Sequence, residues 1–178
     1  MSDLFERVTG DQDIIKKLLA NVPGFKGYLE KRSRKQSDKL LREAVANRFE
    51  QLWQRVSGLQ RELISSGDIG RVDDLEAAAI KLRQFIDRIR TASYGYSPFF
   101  AAVKINSEDL ARVYTYDNAM FELADEVARA IDHVEASLGT EGLPAAIRNL
   151  TTTAQSCVDA FNKRNEIMIN FQAGGAES

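Results

Sequence analysis

Two apolar stripes separated by a short glycine-containing loop constrain the fold of this chain more than any other feature of its sequence. The first stripe recurs at spacings of three and four residues from Leu110 to Leu138, and the second does so from Leu143 to Phe171. This spacing is typical of helices that bury one side. If the chain reverses at "GTEGLP", Leu138 lies opposite Leu143, and each further position of one stripe meets a matching position of the other. The pattern therefore predicts a long antiparallel helical hairpin.

The first half of the chain repeats this design with different residues. One stripe runs from Val45 to Leu63 and another from Leu75 to Ser93. The connector "SSGDIGRVDD" contains a glycine suited to end one helix and aspartates suited to begin the next. Two hairpins with long apolar stripes must bury them against each other. The sequence therefore predicts an all-α fold, namely an up-down-up-down four-helix bundle made of two long antiparallel helical hairpins.

The predicted bundle covers residues 25–172, and two shorter segments flank it. Residues 1–24 form an N-terminal appendage with a short amphipathic helix, which either packs on the bundle or docks elsewhere, for example on a membrane surface. The last residues, 173–178, read "AGGAES" and are predicted to be a flexible tail.

The composition fits a globular protein without a membrane span. Hydrophobic residues make up 44% of the chain and charged residues 28%, which is ordinary for such proteins. The single cysteine, Cys157, excludes an intramolecular disulfide. No apolar run approaches the length of a membrane span, so we expect a cytoplasmic protein. A net charge of -2 argues against a nucleic-acid partner.

An aromatic segment, "SYGYSPFFAAVKI" at residues 93–105, connects the two predicted hairpins at one end of the bundle. Its glycine and proline interrupt the helical pattern. The aromatics either close the end of the bundle by packing or form a partner-binding surface, which aromatic residues favour. With the neighbouring basic residues, the candidates for partner binding are Lys31, Arg34, Lys35, Tyr94, Tyr96, Phe99 and Phe100.

The basic residues lie in "KGYLEKRSRKQSDKLLR", the start of the first long helix. Lys31, Lys35, Lys39 and Arg42 recur at spacings of four and three, so they are predicted to share one helical face. That face is either a solvated surface or a docking patch for an acidic partner protein or an anionic membrane surface.

One polar pair interrupts the stripes of the second hairpin. Asp117 and Arg164 both occupy stripe positions, and the pairing that starts at the loop makes them partners. A single polar layer in an apolar seam can fix the register of the helices. The same pair, together with Tyr114, could instead bind a small anionic ligand inside the bundle.

The sequence carries no signature of a catalytic or metal centre. Its one histidine, His133, cannot complete the two Glu-x-x-His motifs of a di-iron bundle, and one histidine with one cysteine does not make a zinc site. No phosphate-binding loop, nucleophile elbow or dinucleotide fingerprint occurs. We therefore predict no catalytic residue, no metal and no cofactor.

The segments "GFKGYLEKRSRKQSDKLLRE" and "KLRQFIDRIRTASYGYSPFFAAVKI" resemble parts of a group of uncharacterised all-helical bacterial proteins, and the resemblance covers most of residues 20–135. It implies an all-helical bacterial protein and brings no established activity. The sequence thus favours a non-enzymatic helical adaptor or assembly protein, with a protein partner or self-association as a homodimer. The alternative is a sensor or enzyme with an anionic-ligand pocket inside the bundle.

Overall fold

Helices form nearly all of the chain that the computed structural model describes, which is residues 12–22, 34–92 and 107–174. No strand occurs within these ranges. The predicted all-α class is therefore confirmed. The helices are α1 (Gln12–Asn21), α2 (Arg34–Ser66), α3 (Ile69–Thr91), α4 (Ser107–Ser137) and α5 (Leu143–Gly174).

The turn between α2 and α3 depends on a glycine in the left-handed region. Gly67 has φ of +81°, a conformation that L-residues with a side chain rarely adopt. Its N–H donates to the carbonyl of Ile64 at 3.1 Å, and the N–H of Asp68 donates to the carbonyl of Leu63 at 2.9 Å. These two bonds form a Schellman motif, which satisfies the last carbonyls of α2 and reverses the chain.

The turn between α4 and α5 also contains a glycine in the left-handed region. Gly139 has φ of +73°, and the Thr140 hydroxyl donates to the carbonyl of Ser137 at 2.7 Å. Both connections are short, so α2 with α3 and α4 with α5 form antiparallel hairpins whose helices are in extensive contact. These are the hairpins that the stripes predict.

The core consists of the predicted stripes. Every stripe residue whose side chain is described is buried, apart from Leu138, which is half-buried. The ring of Phe85 on α3 lies 4.4 Å from the ring of Phe49 on α2 and 6.3 Å from that of Phe161 on α5, centroid to centroid. Phe85 therefore joins the two hairpins in one core.

The hairpins pack side by side, with α2 along α4 and α3 along α5. Two ion pairs between α2 and α4, Arg48 with Asp125 and Arg55 with Asp132, each join residues 77 apart in sequence. A constant separation means that α2 and α4 run parallel. Between α3 and α5 two hydrogen-bonded pairs share a separation of 74, so these helices are parallel as well.

The short helix α1 packs against α4. The Nζ atom of Lys17 lies 3.4 Å from Oε1 of Glu122, Leu19 is half-buried, and Val22, just after the helix, is only 1% exposed. Of the two alternatives for the N-terminal appendage, the structure places this helix on the bundle. None of the described helices is both long and apolar enough to cross a lipid bilayer.

Candidate functional site

Four helix termini meet at one end of the molecule, which we call the open end. Helix α2 begins there at Arg34, α3 ends there at Thr91, α4 begins there at Ser107 and α5 ends there at Gly174. This follows because both hairpins turn back at the opposite end and the paired helices of the two hairpins run parallel. The chain segments that precede α2 and that join α3 to α4 are therefore attached at the open end.

The residues predicted to bind a partner fall largely outside the described residues. Lys31 precedes the start of α2, and Tyr94, Tyr96, Phe99 and Phe100 belong to the segment between α3 and α4. Arg34 and Lys35 lie in the first turn of α2, but their side chains are outside the described part as well. The aromatic surface and the basic patch therefore stay predictions, and the described helix ends beside them form the candidate site.

Arg42 closes the end of α3 from the neighbouring helix. Its guanidinium Nη1 donates to the carbonyl oxygen of Ile89 at 3.2 Å, although 47 residues separate the two in sequence. Since α3 ends at Thr91, the Ile89 carbonyl is in the last turn, where helices lack their own donors. A cation at this position also opposes the partial negative charge of a helix C-terminus. Arg42 is thus a buried cap on α3.

This role corrects the predicted basic face. Arg42 was expected to share an exposed face with Lys31, Lys35 and Lys39, but it is only 7% exposed. Lys39 does face solvent, with 71% of its side chain exposed and Glu43 at 3.8 Å. The reason is that Arg42 lies three residues before Val45 and so continues the apolar stripe of α2, where a guanidinium is retained because it finds an acceptor.

A polar layer lies at the level of Arg42. Asp117 and Asn118 on α4 are 1% and 6% exposed, and the parallel register of α2 and α4 places both beside this part of α2. The Asn118 Nδ2 donates to Oε1 of Glu122 at 3.1 Å. Asp117 is thus buried at its stripe position. Its predicted partner, Arg164, lies on α5, but the side chain of Arg164 is outside the described part, so their pairing stays a prediction.

Ion pairs join α2 and α4 further from the open end than this layer. Arg48 pairs with Asp125, and one heptad further Arg55 pairs with Asp132 at 2.5 Å and with Glu135 at 3.2 Å. The hydrogen bond that Arg55 donates to Asp132 is the main reason why the pKa of Arg55 is raised. All the arginines of this ladder belong to α2 and all its carboxylates to α4. The ladder therefore fixes which heptads of the two hairpins lie side by side.

A second charged cluster lies on the outer side of the first hairpin. The Arg83 guanidinium donates two hydrogen bonds to the Glu50 carboxylate at 3.0 and 3.1 Å and lies 4.0 Å from the ring centroid of Trp53. Arg90 donates a further bond to Glu50 at 3.0 Å. These hydrogen bonds, with that from Arg83 foremost, lower the pKa of the Glu50 carboxyl, although burial opposes them. Trp53 is half-buried beneath this cluster, so it widens the core face of α2.

The described interior offers little for catalysis. Burial raises the pKa of the Cys157 thiol to about 12, which leaves it protonated and unreactive near neutral pH. His133 is exposed. Within residues 12–22, 34–92 and 107–174, no group of three or more His, Cys, Asp or Glu side chains could hold a metal ion.

Sequence reasoning missed Arg42 as a cap and Asn118 as a buried residue, although both had a signal. Arg42 precedes Val45 by three residues and so lies in the spacing of its stripe. Asn118 begins a second stripe on α4 that continues through Phe121 and Asp125 at spacings of three and four. This second stripe faces α2, and it would have indicated that another helix packs on this side of α4.

Comparison of the chain with protein-family models, with curated proteins and with solved structures gives no match. The resemblance to uncharacterised bacterial helical proteins therefore stays a prediction. The function has to be argued from the geometry of the open end.

Proposed function

We propose that this protein is a non-enzymatic helical adaptor or assembly protein that binds a partner protein through its open end. In this proposal the four long helices form an up-down-up-down bundle that serves as a support, while the aromatic residues 94–100 and the basic start of α2 make the contact. One observation carries the proposal. The buried polar residues Arg42, Asp117 and Asn118 and the attachment points of both candidate segments belong to the same end of the molecule.

The composition of the interior supports binding over catalysis. Away from the open end, the described core is built from aliphatic and aromatic side chains, and its one thiol, Cys157, is buried. Such a core holds the helices in place but supplies no acid, base or nucleophile. The adaptor proposal therefore places the function at the surface of the bundle.

The proposed partner is an acidic protein in the bacterial cytoplasm, and self-association as a homodimer is the second form of the proposal. The start of α2 supports this charge preference, because residues 34–41 contain three Lys or Arg and one Asp. Complementary charge speeds association and selects partners more than it adds affinity. We expect the interaction to weaken as the salt concentration rises.

The test is site-specific photo-crosslinking in cells that make the protein natively. A photoreactive amino acid replaces Lys35 or Tyr96 at the open end and, as controls, Arg71 or Glu141 at the opposite end. We expect a discrete crosslinked species from the open-end positions only. Crosslinks of equal yield from both ends, or from the control positions alone, would contradict the proposal.

Charge reversal supplies an independent arm. The double variant Arg34→Glu with Lys35→Glu should lose the crosslinked species formed from position 96. The variant Arg61→Glu with Arg148→Glu makes the same change of charge near the opposite end and should keep it. Flotation with phosphatidylserine vesicles tests the membrane alternative. If the basic start of α2 binds a membrane, the wild-type protein should float with the vesicles and the Arg34→Glu, Lys35→Glu variant should not.

A second candidate function is the binding of a small anionic ligand inside the bundle. The buried layer of Arg42, Asp117 and Asn118 favours it, since a few buried polar groups in an apolar setting are typical of ligand sites. Thermal-shift measurements with inorganic phosphate and with citrate test this candidate. A rise in melting temperature that the variant Arg164→Met abolishes would support the pocket over the adaptor.

A further inference from the structure

Helix α1 is the shortest of the described helices. It spans ten residues, and an isolated helix of this length is marginal in water. Among the described helices, α4 is the one against which α1 mainly packs. Its helical form therefore depends on docking against α4.

The described contacts divide into an apolar anchor and an ion pair. Val22 belongs to the same cluster of buried residues as the bundle core, and Leu19 packs against that cluster. Lys17 lies 3.4 Å from Glu122, but both side chains are more than half exposed, so this pair contributes specificity more than stability. Ordering ten residues costs conformational entropy, which the contacts of α1 with the bundle have to offset.

The receiving surface on α4 is acidic. Glu122 and Glu126 are exposed one turn apart, whereas Asp125, Asp132 and Glu135 of the same helix pair with arginines of α2. Oε1 of Glu122 accepts from Asn118 on its own helix as well as from Lys17. Asn118 thus holds the carboxylate in place for an incoming cation.

We propose that this surface of α4 is a helix-docking site and that α1 occupies it as a displaceable internal ligand. The external ligand is an amphipathic basic helix of a partner protein, with a Lys or Arg opposite Glu122 and aliphatic side chains at the places of Leu19 and Val22. The inference goes beyond the proposed adaptor function, because this site lies on α4 and takes a basic segment, whereas the open end is proposed to bind an acidic partner. Helices that place one apolar face in a groove are a common mode of recognition.

The covalent link to the chain gives α1 an advantage over any external helix. A tethered segment competes at the effective concentration set by its linker, which for short flexible linkers is on the order of millimolar. An external helix of the same sequence should therefore bind poorly to the wild-type protein. Weakening the docked α1 should reveal the site.

The experiment measures binding of a fluorescein-labelled peptide, DQDIIKKLLANVPG (residues 11–24), to the full-length protein by fluorescence polarisation. The variant Val22→Asp in the protein weakens the apolar anchor of the internal helix but leaves the docking surface on α4 unchanged. We expect this variant to bind the wild-type peptide at least tenfold more tightly than the wild-type protein does. The variant Lys17→Glu in the protein should act in the same direction with a smaller gain.

The Glu122 carboxylate supplies the specificity control. Adding Glu122→Lys to the Val22→Asp protein should abolish the gain, and a peptide with Lys17→Glu should restore binding to that protein. The exposed Glu166→Lys on α5 makes the same change of charge elsewhere and should keep the gain. Circular dichroism of each variant verifies that the bundle stays folded, and should Val22→Asp unfold, the Lys17→Glu protein carries the test.

Three results would overturn the inference. The first is equal or absent peptide binding by the wild-type and released proteins, and the second is binding that does not depend on Glu122. The third is a concentration-dependent dimer that is lost in the Val22→Asp protein, because it would make the occupant the α1 helix of a second copy. None of these results depends on the natural partner, so they leave the open-end crosslinking test of the proposed function unaffected.

Discussion

Replacing Arg42 by methionine tests whether one buried guanidinium closes the end of α3. Methionine keeps much of the length and apolar volume of arginine but cannot donate to the Ile89 carbonyl, which the Arg42 guanidinium contacts at 3.2 Å. Because Arg42 is 7% exposed, water cannot readily replace the lost donor. The substitution therefore leaves a buried carbonyl acceptor without this donor in a turn that lacks intrahelical donors.

The expected magnitude follows from the cost of an unsatisfied buried group. Hydrogen bonds from charged donors contribute about 1.5–3 kcal/mol, and an orphaned buried acceptor costs about 1–3 kcal/mol. We expect the free energy of unfolding to fall by about 1–3 kcal/mol. For a protein of this size that corresponds to a fall in melting temperature of about 2–12 °C. Urea unfolding followed by circular dichroism gives the free energy directly.

A matched control separates the cap from the loss of a positive charge. Lys39→Met removes a cation from the same helix, three residues earlier, at a side chain that is 71% exposed. It should change the free energy of unfolding by less than about 0.5 kcal/mol. Hydrogen exchange gives a local readout, because only Arg42→Met should speed exchange in the last turn of α3. Equal stability of the two variants, with unchanged exchange at residues 89–92, would refute the cap.

Three further predictions concern titration, reactivity and backbone strain. Arg83 lowers the pKa of the Glu50 carboxyl below its usual 4.5. The ion pair therefore stabilises the fold above that pH, and this stabilisation is lost as the pH falls through the pKa of the folded protein. In urea titrations at a series of acidic pH values, the free energy of unfolding of Glu50→Gln should fall less with decreasing pH than that of the wild type. The pKa of the Cys157 thiol is raised to about 12, so this thiol should resist iodoacetamide at pH 8 in the folded protein and react after denaturation. Mass spectrometry measures the labelling, and rapid labelling of the native protein would contradict the burial of Cys157. Gly67→Ala should lower the free energy of unfolding by about 1–2 kcal/mol, because φ of Gly67 is +81°. Gly70→Ala within α3 should raise it by about 0.5–1 kcal/mol. If calorimetry finds Gly67→Ala to be the more stable of the two variants, the left-handed turn at Gly67 is contradicted.

The two hairpins could be predicted from the sequence because each depends on local information. The loops at Gly67 and Gly139 are short, so the register of each hairpin follows by counting from its loop, and the apolar stripes then identify the buried faces. The burial of Phe49, Ile89 and the other described stripe residues confirms the predicted buried faces. Such periodicity reports which side of a helix is buried but not which helix covers it.

The contacts between the hairpins could not be predicted in the same way, because no short loop sets their register. Whether α2 lies beside α4 or α5 depends on how two finished hairpins fit together. The deciding residues, such as Arg48 and Asp125, are charged and lie beside the apolar stripes, where they look like ordinary surface residues. Arg42 could not be assigned from the sequence for a similar reason. It belongs to a basic run and was expected at the surface, but a contact with α3 buries it.

The polar contacts between the hairpins bear on how an adaptor of this kind would hold its binding end in shape. A slip of α4 along α2 by one heptad would leave one arginine–carboxylate pair in place of two. Arg48 would then lie beside Asp132, whereas Arg55 would lie beyond the end of α4 at Ser137. Such exposed pairs each contribute little stability. They nevertheless favour one register of α2 and α4 over registers shifted by a heptad, a distinction that purely aliphatic contacts make poorly. The register in turn sets the relative height of Arg34, Thr91 and Ser107 at the open end. The ladder between α2 and α4 therefore stabilises the spacing of the surface that we propose for partner binding, even though it lies several turns away from that surface.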